Sequence, residues 1–70
     1  MQTVYDVQQI LKRFGIYIYT GDRLGDLELM EMEMKELYLA EFLPIKQYHM
    51  AKIILRREAA LIREESENKS

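Results

Sequence analysis

A single run of the chain, Ile16-Tyr17-Ile18-Tyr19, has the β-branched and aromatic character of a strand, and no second run answers it. A lone strand leaves its backbone N–H and C=O groups without partners, so it cannot found a sheet. Alternate side chains of an extended segment point to opposite sides. The run therefore reads as an extended connector. Ile16 and Ile18 share the side that pins it to a core, and Tyr17 and Tyr19 share the outer side. The stretches before and after it read as helix, so the chain reverses here between two helices.

Before the connector, Val4, Val7, Ile10, Leu11 and Phe14 recur at helical spacing. Thr3 is a cap, and Asp6 three residues on approximates a capping box. Lys12 and Arg13 fall in the last turn, where cations suit the carbonyl end, and Gly15 follows as a C′ residue. The first helix is expected from about Val4 to Phe14. After the connector, Gly21 can take a positive φ, and Asp22 caps the next helix with Thr20 as the competing cap.

From Leu24 to Leu43 two signals conflict. Met30-Glu31-Met32-Glu33-Met34 alternates like a strand, but no β-branched residue occurs between Thr20 and Ile45, and Leu, Met, Glu, Lys and Ala favour helix. Propensity decides for helix. Leu24, Leu27, Met30, Met34, Leu37 and Tyr38 form its stripe, while Leu29, Met32, Leu39 and Leu43 fall partly off it. Such a broad apolar girth fits a central helix or half of an interface. Gly25 in the first turn weakens this helix slightly. Pro44 breaks the chain. A third helix is expected from about Ile45 to Arg63 or Glu65, burying Tyr48, Ala51, Ile54, Leu55, Leu61 and Ile62. The expected fold is all-α, a compact three-helix bundle over residues 1–65 with a polar tail at 66–70.

Seventy residues make one domain with a thin core. Cysteine is absent and His49 is the only histidine, so disulfides and thiolate metal sites are excluded and a zinc site is disfavoured. The N-terminus lacks the pattern of a signal peptide, and no apolar run is long enough to cross a membrane. A cytoplasmic protein is the expectation. The net charge of −2 is unevenly spread. Residues 21–43 carry seven acids against Arg23 and Lys35, and residues 44–63 carry five cations against Glu58. Either the acidic helix holds the basic one, or the basic face meets an acidic partner.

No catalytic constellation is present. The serines lie in the tail, and no proton acceptor sits at helical spacing from His49. The carboxylates of the second helix lack the histidine partners of helical metal sites and read as a solvated face. No enzymatic activity, cofactor or metal is expected. Met30, Met32 and Met34 read as core, with a partner-helix surface as the rival. The connector is the least ordinary feature. Aromatic rings beside cations are how sequence-tolerant single-strand binders hold bases and phosphates. Tyr17 and Tyr19 would stack bases, with Lys12, Arg13, Arg23, Arg56 and Arg57 on phosphates. Against this, the rings could lid the core with their hydroxyls in water, and the third helix's cations could pair with acids of the second.

The segments Tyr5-Asp6-Val7-Gln8-Gln9, Ile18-Tyr19-Thr20-Gly21-Asp22-Arg23, Asp26-Leu27-Glu28-Leu29-Met30-Glu31 and Glu36-Leu37-Tyr38 resemble the YqgQ-like family, small cytosolic proteins of Gram-positive bacteria. The resemblance spans about Thr3 to Arg57, and its most specific part is Tyr19 to Arg23. Gly25 and Glu31-Met32-Glu33-Met34 depart from the usual pattern. The resemblance implies a three-helix bundle, no enzymatic activity and a role in single-stranded nucleic-acid binding, without assigning residues to it. The partners expected are thus single-stranded RNA or DNA. The alternative is a protein partner or a homo-oligomer formed through the apolar excess of the second helix.

Overall fold

The computed structural model describes residues 1–68 and contains three α-helices: α1, Val4–Arg13; α2, Arg23–Leu39; and α3, Ile45–Asn68. Among the described residues there is no strand. Ile16–Thr20 is extended without regular structure, as the lone β-like run requires.

Each boundary has a local cause. At the start of α1 the capping box is complete. Thr3 Oγ1 accepts from the Asp6 N–H at 3.3 Å, and Asp6 Oδ2 accepts from the N–H groups of Thr3 at 3.0 Å and Gln2 at 2.8 Å. Asp22, not Thr20, caps α2, accepting from the Gly25 N–H at 3.2 Å. Gly25 is crowded there. A Cβ would lie 2.9 Å from Asp22 Oδ2, so the glycine lets the cap close.

α1 and α2 end in the same way. The Ile16 N–H reaches back to the Leu11 carbonyl and the Gly15 N–H to that of Lys12. Likewise the Phe42 N–H reaches Leu37, and the Glu41 N–H reaches Tyr38. This double closure is the Schellman motif, which needs a left-handed residue at C′. Gly15 fills that position at φ 75°, but Glu41 fills it at φ 67° without a glycine's freedom. The unexpected turn at Glu41 stops α2 at Leu39, four residues before the expected end at Leu43. It also carries Leu43 into the core, where the helical reading had placed it off the main face. The Pro44 carbonyl then accepts from Gln47 and Tyr48 and opens α3. α3 runs on through Ser66 to Asn68, past the expected end at Glu65, because its glutamates favour helix and no Gly or Pro stops it. Lys69 and Ser70 of the expected tail lie outside the described residues.

The core comprises Val4, Val7 and Leu11 from α1, Leu27, Met30, Met34 and Leu37 from α2, and Ala51, Ile54, Leu55 and Ala59 from α3, with Leu43. Met30 and Met34 are buried as expected, but Met32 is not. On α3, Ala59 takes the place expected of Leu61, which is half exposed. The inward series Ala51, Leu55, Ala59, Ile62 keeps spacings of four and three, and Leu61 falls off it. α2 and α3 form the most extensive interface, antiparallel, with Glu28 against Arg63, Glu31 against Arg56, and Tyr38 stacked on Tyr48 at 5.1 Å.

α1 runs parallel to α2. Its first turn lies beside Arg23 and Glu58, and its far end, Phe14, rests against Phe42 at 5.9 Å. Parallel neighbours require the chain to return the full length of α1, about 15 Å for ten residues. Extended chain covers that in about five residues. Ile16–Thr20 provides them, which is why this bundle contains a β-like run with no sheet.

Candidate nucleic-acid interface

The connector lies along α1 with its two sides differentiated as the alternation demands. Ile16 and Ile18 pack against the core, whereas Tyr17 and Tyr19 are 74% and 90% exposed. The rings do not lid the core. They share a shallow groove with Gln8, Leu11 and Lys12 of α1. Lys12 is thus the cation placed beside the tyrosines.

The far end of the connector is held by Asp26. This residue is only 6% exposed, the sole charged or polar side chain buried among the described residues. Its Oδ1 accepts from the Thr20 hydroxyl at 2.6 Å and from the Thr20 N–H at 2.8 Å. The Thr20 hydroxyl in turn accepts from the Asp22 N–H at 3.3 Å. Thr20, considered above as a helix cap, is instead tied to Asp26 in the first turn of α2. Asp26, read as part of a solvated acidic face, is the clasp. The connector is therefore fixed at both ends: by the Gly15 turn at one and by Asp26 at the other. This keeps the exposed rings from collapsing inward.

The remaining candidates fall elsewhere. Arg13 lines a groove of about 390 Å³ between α1 and α3 with Lys46, Asp6 and Gln9. Arg23 and Arg57 line a third groove, beside the first turn of α1. Arg56 faces α2, where its Nε and Nη2 donate to the two oxygens of Glu31 at 3.0 and 3.3 Å. That fork raises the Arg56 pKa above its ordinary value, chiefly through the hydrogen bond. Arg63 approaches Glu28 at 3.6 Å and Arg23 approaches Glu58 at 3.8 Å. Of the two uses considered for the cations of the third helix, Arg56 and Arg63 take the one that faces α2.

Two residues were missed. Asp26 carried no signal distinguishing it from Glu28 or Glu31 except its shortness and its position six residues after Thr20. Tyr5 is 63% exposed beside Arg23 and Arg57, and it did carry a signal. Tyr5, Gln8 and Lys12 recur at helical spacing just off the apolar stripe and form one outward ridge of α1.

A family model described as YqgQ-like matches residues 1–61, most of the chain. The chain belongs to the YqgQ-like family. A relative from Bacillus subtilis (strain 168), "Uncharacterized protein YqgQ", is 47% identical over 58 residues, which cover 83% of this chain and 82% of the relative. The YqgQ-like match takes in all three grooves, the connector and the Asp26 clasp. The resemblance noted above is thereby established, and the three-helix bundle it implies is the fold observed.

No helix among the described residues is long and apolar enough to cross a membrane.

Proposed function

We propose that this YqgQ-like protein is a non-enzymatic, cytoplasmic binding protein that takes single-stranded nucleic acid on the connector face. The observation that carries the reading is the exposure of Tyr17 and Tyr19 on a clasped segment beside Lys12. An exposed ring on a fixed backbone loses little freedom when a base stacks on it. Such stacking is tolerant of sequence because every base has a π-face. A cytoplasmic setting suits a chain without cysteine.

Fluorescence anisotropy with labelled single-stranded RNA and DNA, over a salt series, tests this. Affinity should fall with salt, with a slope of roughly −0.7 per phosphate contacted. Tyr17→Ala/Tyr19→Ala should weaken binding at least tenfold, since each stacked base contributes about 1–3 kcal/mol. No binding at low salt, or unchanged binding by the double variant, refutes the reading.

A second reading, a protein-interaction or self-association module, draws on Met32 and Leu39, which are 61% and 66% exposed on α2. Sedimentation equilibrium addresses it. A monomer across the concentration range, unaltered by Met32→Lys/Leu39→Lys, counts against self-association.

A further inference from the structure

The groove beside the first turn of α1 extends the candidate interface beyond the connector. Tyr5, Gln8 and Lys12 form one ridge of α1. Gln8 and Lys12 border the groove that holds Tyr17 and Tyr19. Tyr5 borders the groove that holds Arg23 and Arg57, about 350 Å³ in volume. The connector runs along this ridge and delivers the chain directly to Arg23. The two grooves therefore follow one another along α1, with a ring and a cation in each.

The charges in the second groove are available for an anion. Arg57 has no carboxylate partner among the described residues. Among the described residues Arg23 is paired only with Glu58, at 3.8 Å, and both side chains are well exposed, at 49% and 38%. An exposed pair at that distance is worth little and exchanges readily for a phosphate, which a guanidinium also binds as a fork. The groove's volume is in the range that accepts a small ligand unit.

We propose that Tyr5, Arg57 and Arg23 form a second nucleotide subsite on the same single strand, with Glu58 competing for Arg23 against the phosphate. The inference rests on the nucleic-acid reading above. From Lys12 to Tyr5 is seven residues, about 10 Å along the helix. A stacked strand advances about 3.4 Å per nucleotide. The continuous track is thus about four nucleotides long. Glu58 sets a threshold: it leaves the groove less attractive to isolated anions than its two arginines alone would make it.

The test is anisotropy with fluorescein-labelled oligothymidylates of two to eight nucleotides. Affinity of the wild-type chain should climb with length and level off near four nucleotides. Tyr5→Ala and Arg57→Ala should each weaken binding of the longer oligomers roughly fivefold or more, while leaving the dinucleotide unaffected. Tyr5→Phe, which keeps the ring, should bind like wild type, and Glu58→Gln should bind more tightly. Tyr5 and Arg57 are exposed, so unchanged thermal unfolding of their variants verifies that the fold is intact. If Tyr5→Ala and Arg57→Ala match wild type at every length while Tyr17→Ala/Tyr19→Ala weakens binding, the subsite is overturned and the connector reading stands. If the wild-type chain binds no length, both fall.

Discussion

Replacing Asp26 with alanine should loosen the connector and cost the bundle a large share of its stability. Asp26 Oδ1 accepts two hydrogen bonds from Thr20, at 2.6 and 2.8 Å. A hydrogen bond to a charged group contributes about 1.5–3 kcal/mol. Two effects reduce the sum. Thr20 is exposed, so its released N–H and hydroxyl find water, and the alanine also removes the cost of burying a carboxylate. The expected loss is about 2–4 kcal/mol. A chain of this length has roughly 3–10 kcal/mol in total. Urea unfolding followed by circular dichroism reads that loss. Thr20→Val keeps the N–H bond but removes the hydroxyl's bonds with Asp26 and the Asp22 N–H, and should cost about 1–2 kcal/mol. Because the two residues share the interaction, Asp26→Ala/Thr20→Val should cost less than the sum of the single changes by at least about 0.5 kcal/mol. Amide exchange adds a local readout: the Thr20 N–H should lose protection in Asp26→Ala while the α2–α3 amides keep most of theirs. An Asp26→Ala variant within about 0.5 kcal/mol of wild type, or with an unchanged Thr20 exchange rate, would refute the clasp.

Three further changes probe the termini of the helices. Glu41→Gly relieves a left-handed residue in the α2 Schellman turn and should stabilise the protein by about 1 kcal/mol, raising Tm by about 4–8 °C. Gly15→Ala, in the matching turn of α1, should lower Tm by a similar amount; a fall in Tm for Glu41→Gly would contradict the comparison. At the other end of α1, the backbone N–H of Gln2 and then that of Thr3 hold the Asp6 carboxyl below its ordinary pKa. Its folded value is depressed, so its contribution is present above the unfolded value and is lost as pH falls through the folded one. The stability gap between wild type and Asp6→Ala should therefore be full at neutral pH and close below about pH 4. An equal gap at neutral pH and in strong acid would contradict this.

The elements that were legible in the sequence share a property: their signals are local. The caps Thr3 and Asp22, the Gly15 turn and the alternation at Ile16–Tyr19 each depend on neighbours within a few residues. The sidedness of the connector follows from backbone geometry alone, but whether Tyr17 and Tyr19 face solvent or lid the core depends on tertiary packing and stays open in the sequence alone. The misplaced end of α2 had no such signal, because a left-handed glutamate at 41 looks like ordinary helix. Tertiary closure by Phe42 and Leu43 imposes it. Asp26 was illegible for a related reason. One carboxylate among seven acids in residues 21–43 is singled out only when the connector folds back and brings Thr20 to it. On α3 the balance between Ala59 and Leu61 depended on which helical phase faced the other two helices, and small alanines allow the close approach that a leucine would not.

The uneven charge of the chain finds its explanation in how the cations are divided. The acidic segment and the basic segment meet across α2 and α3, where Glu28, Glu31, Arg56 and Arg63 face one another. These pairs are exposed, so they add little stability, but they neutralise each other and leave that flank unattractive to a polyanion. The connector side is different. Lys12 and Arg57 have no carboxylate partner among the described residues, and Arg23 has a distant one. A chain of net charge −2 can therefore present a locally cationic track, since acids more than about 10 Å from it are screened at ordinary salt. On this account the sign of the net charge does not oppose nucleic-acid binding. Of the acids beside the track, Asp22 caps α2 and Asp26 clasps Thr20, so Glu58 is the one paired with a cation of the track. Neutralising it should tighten binding, whereas neutralising Glu31, which only frees Arg56 on the other flank, should change binding less than twofold. Equal gains from Glu58→Gln and Glu31→Gln would show that overall charge, not the placement of cations along α1, governs attraction.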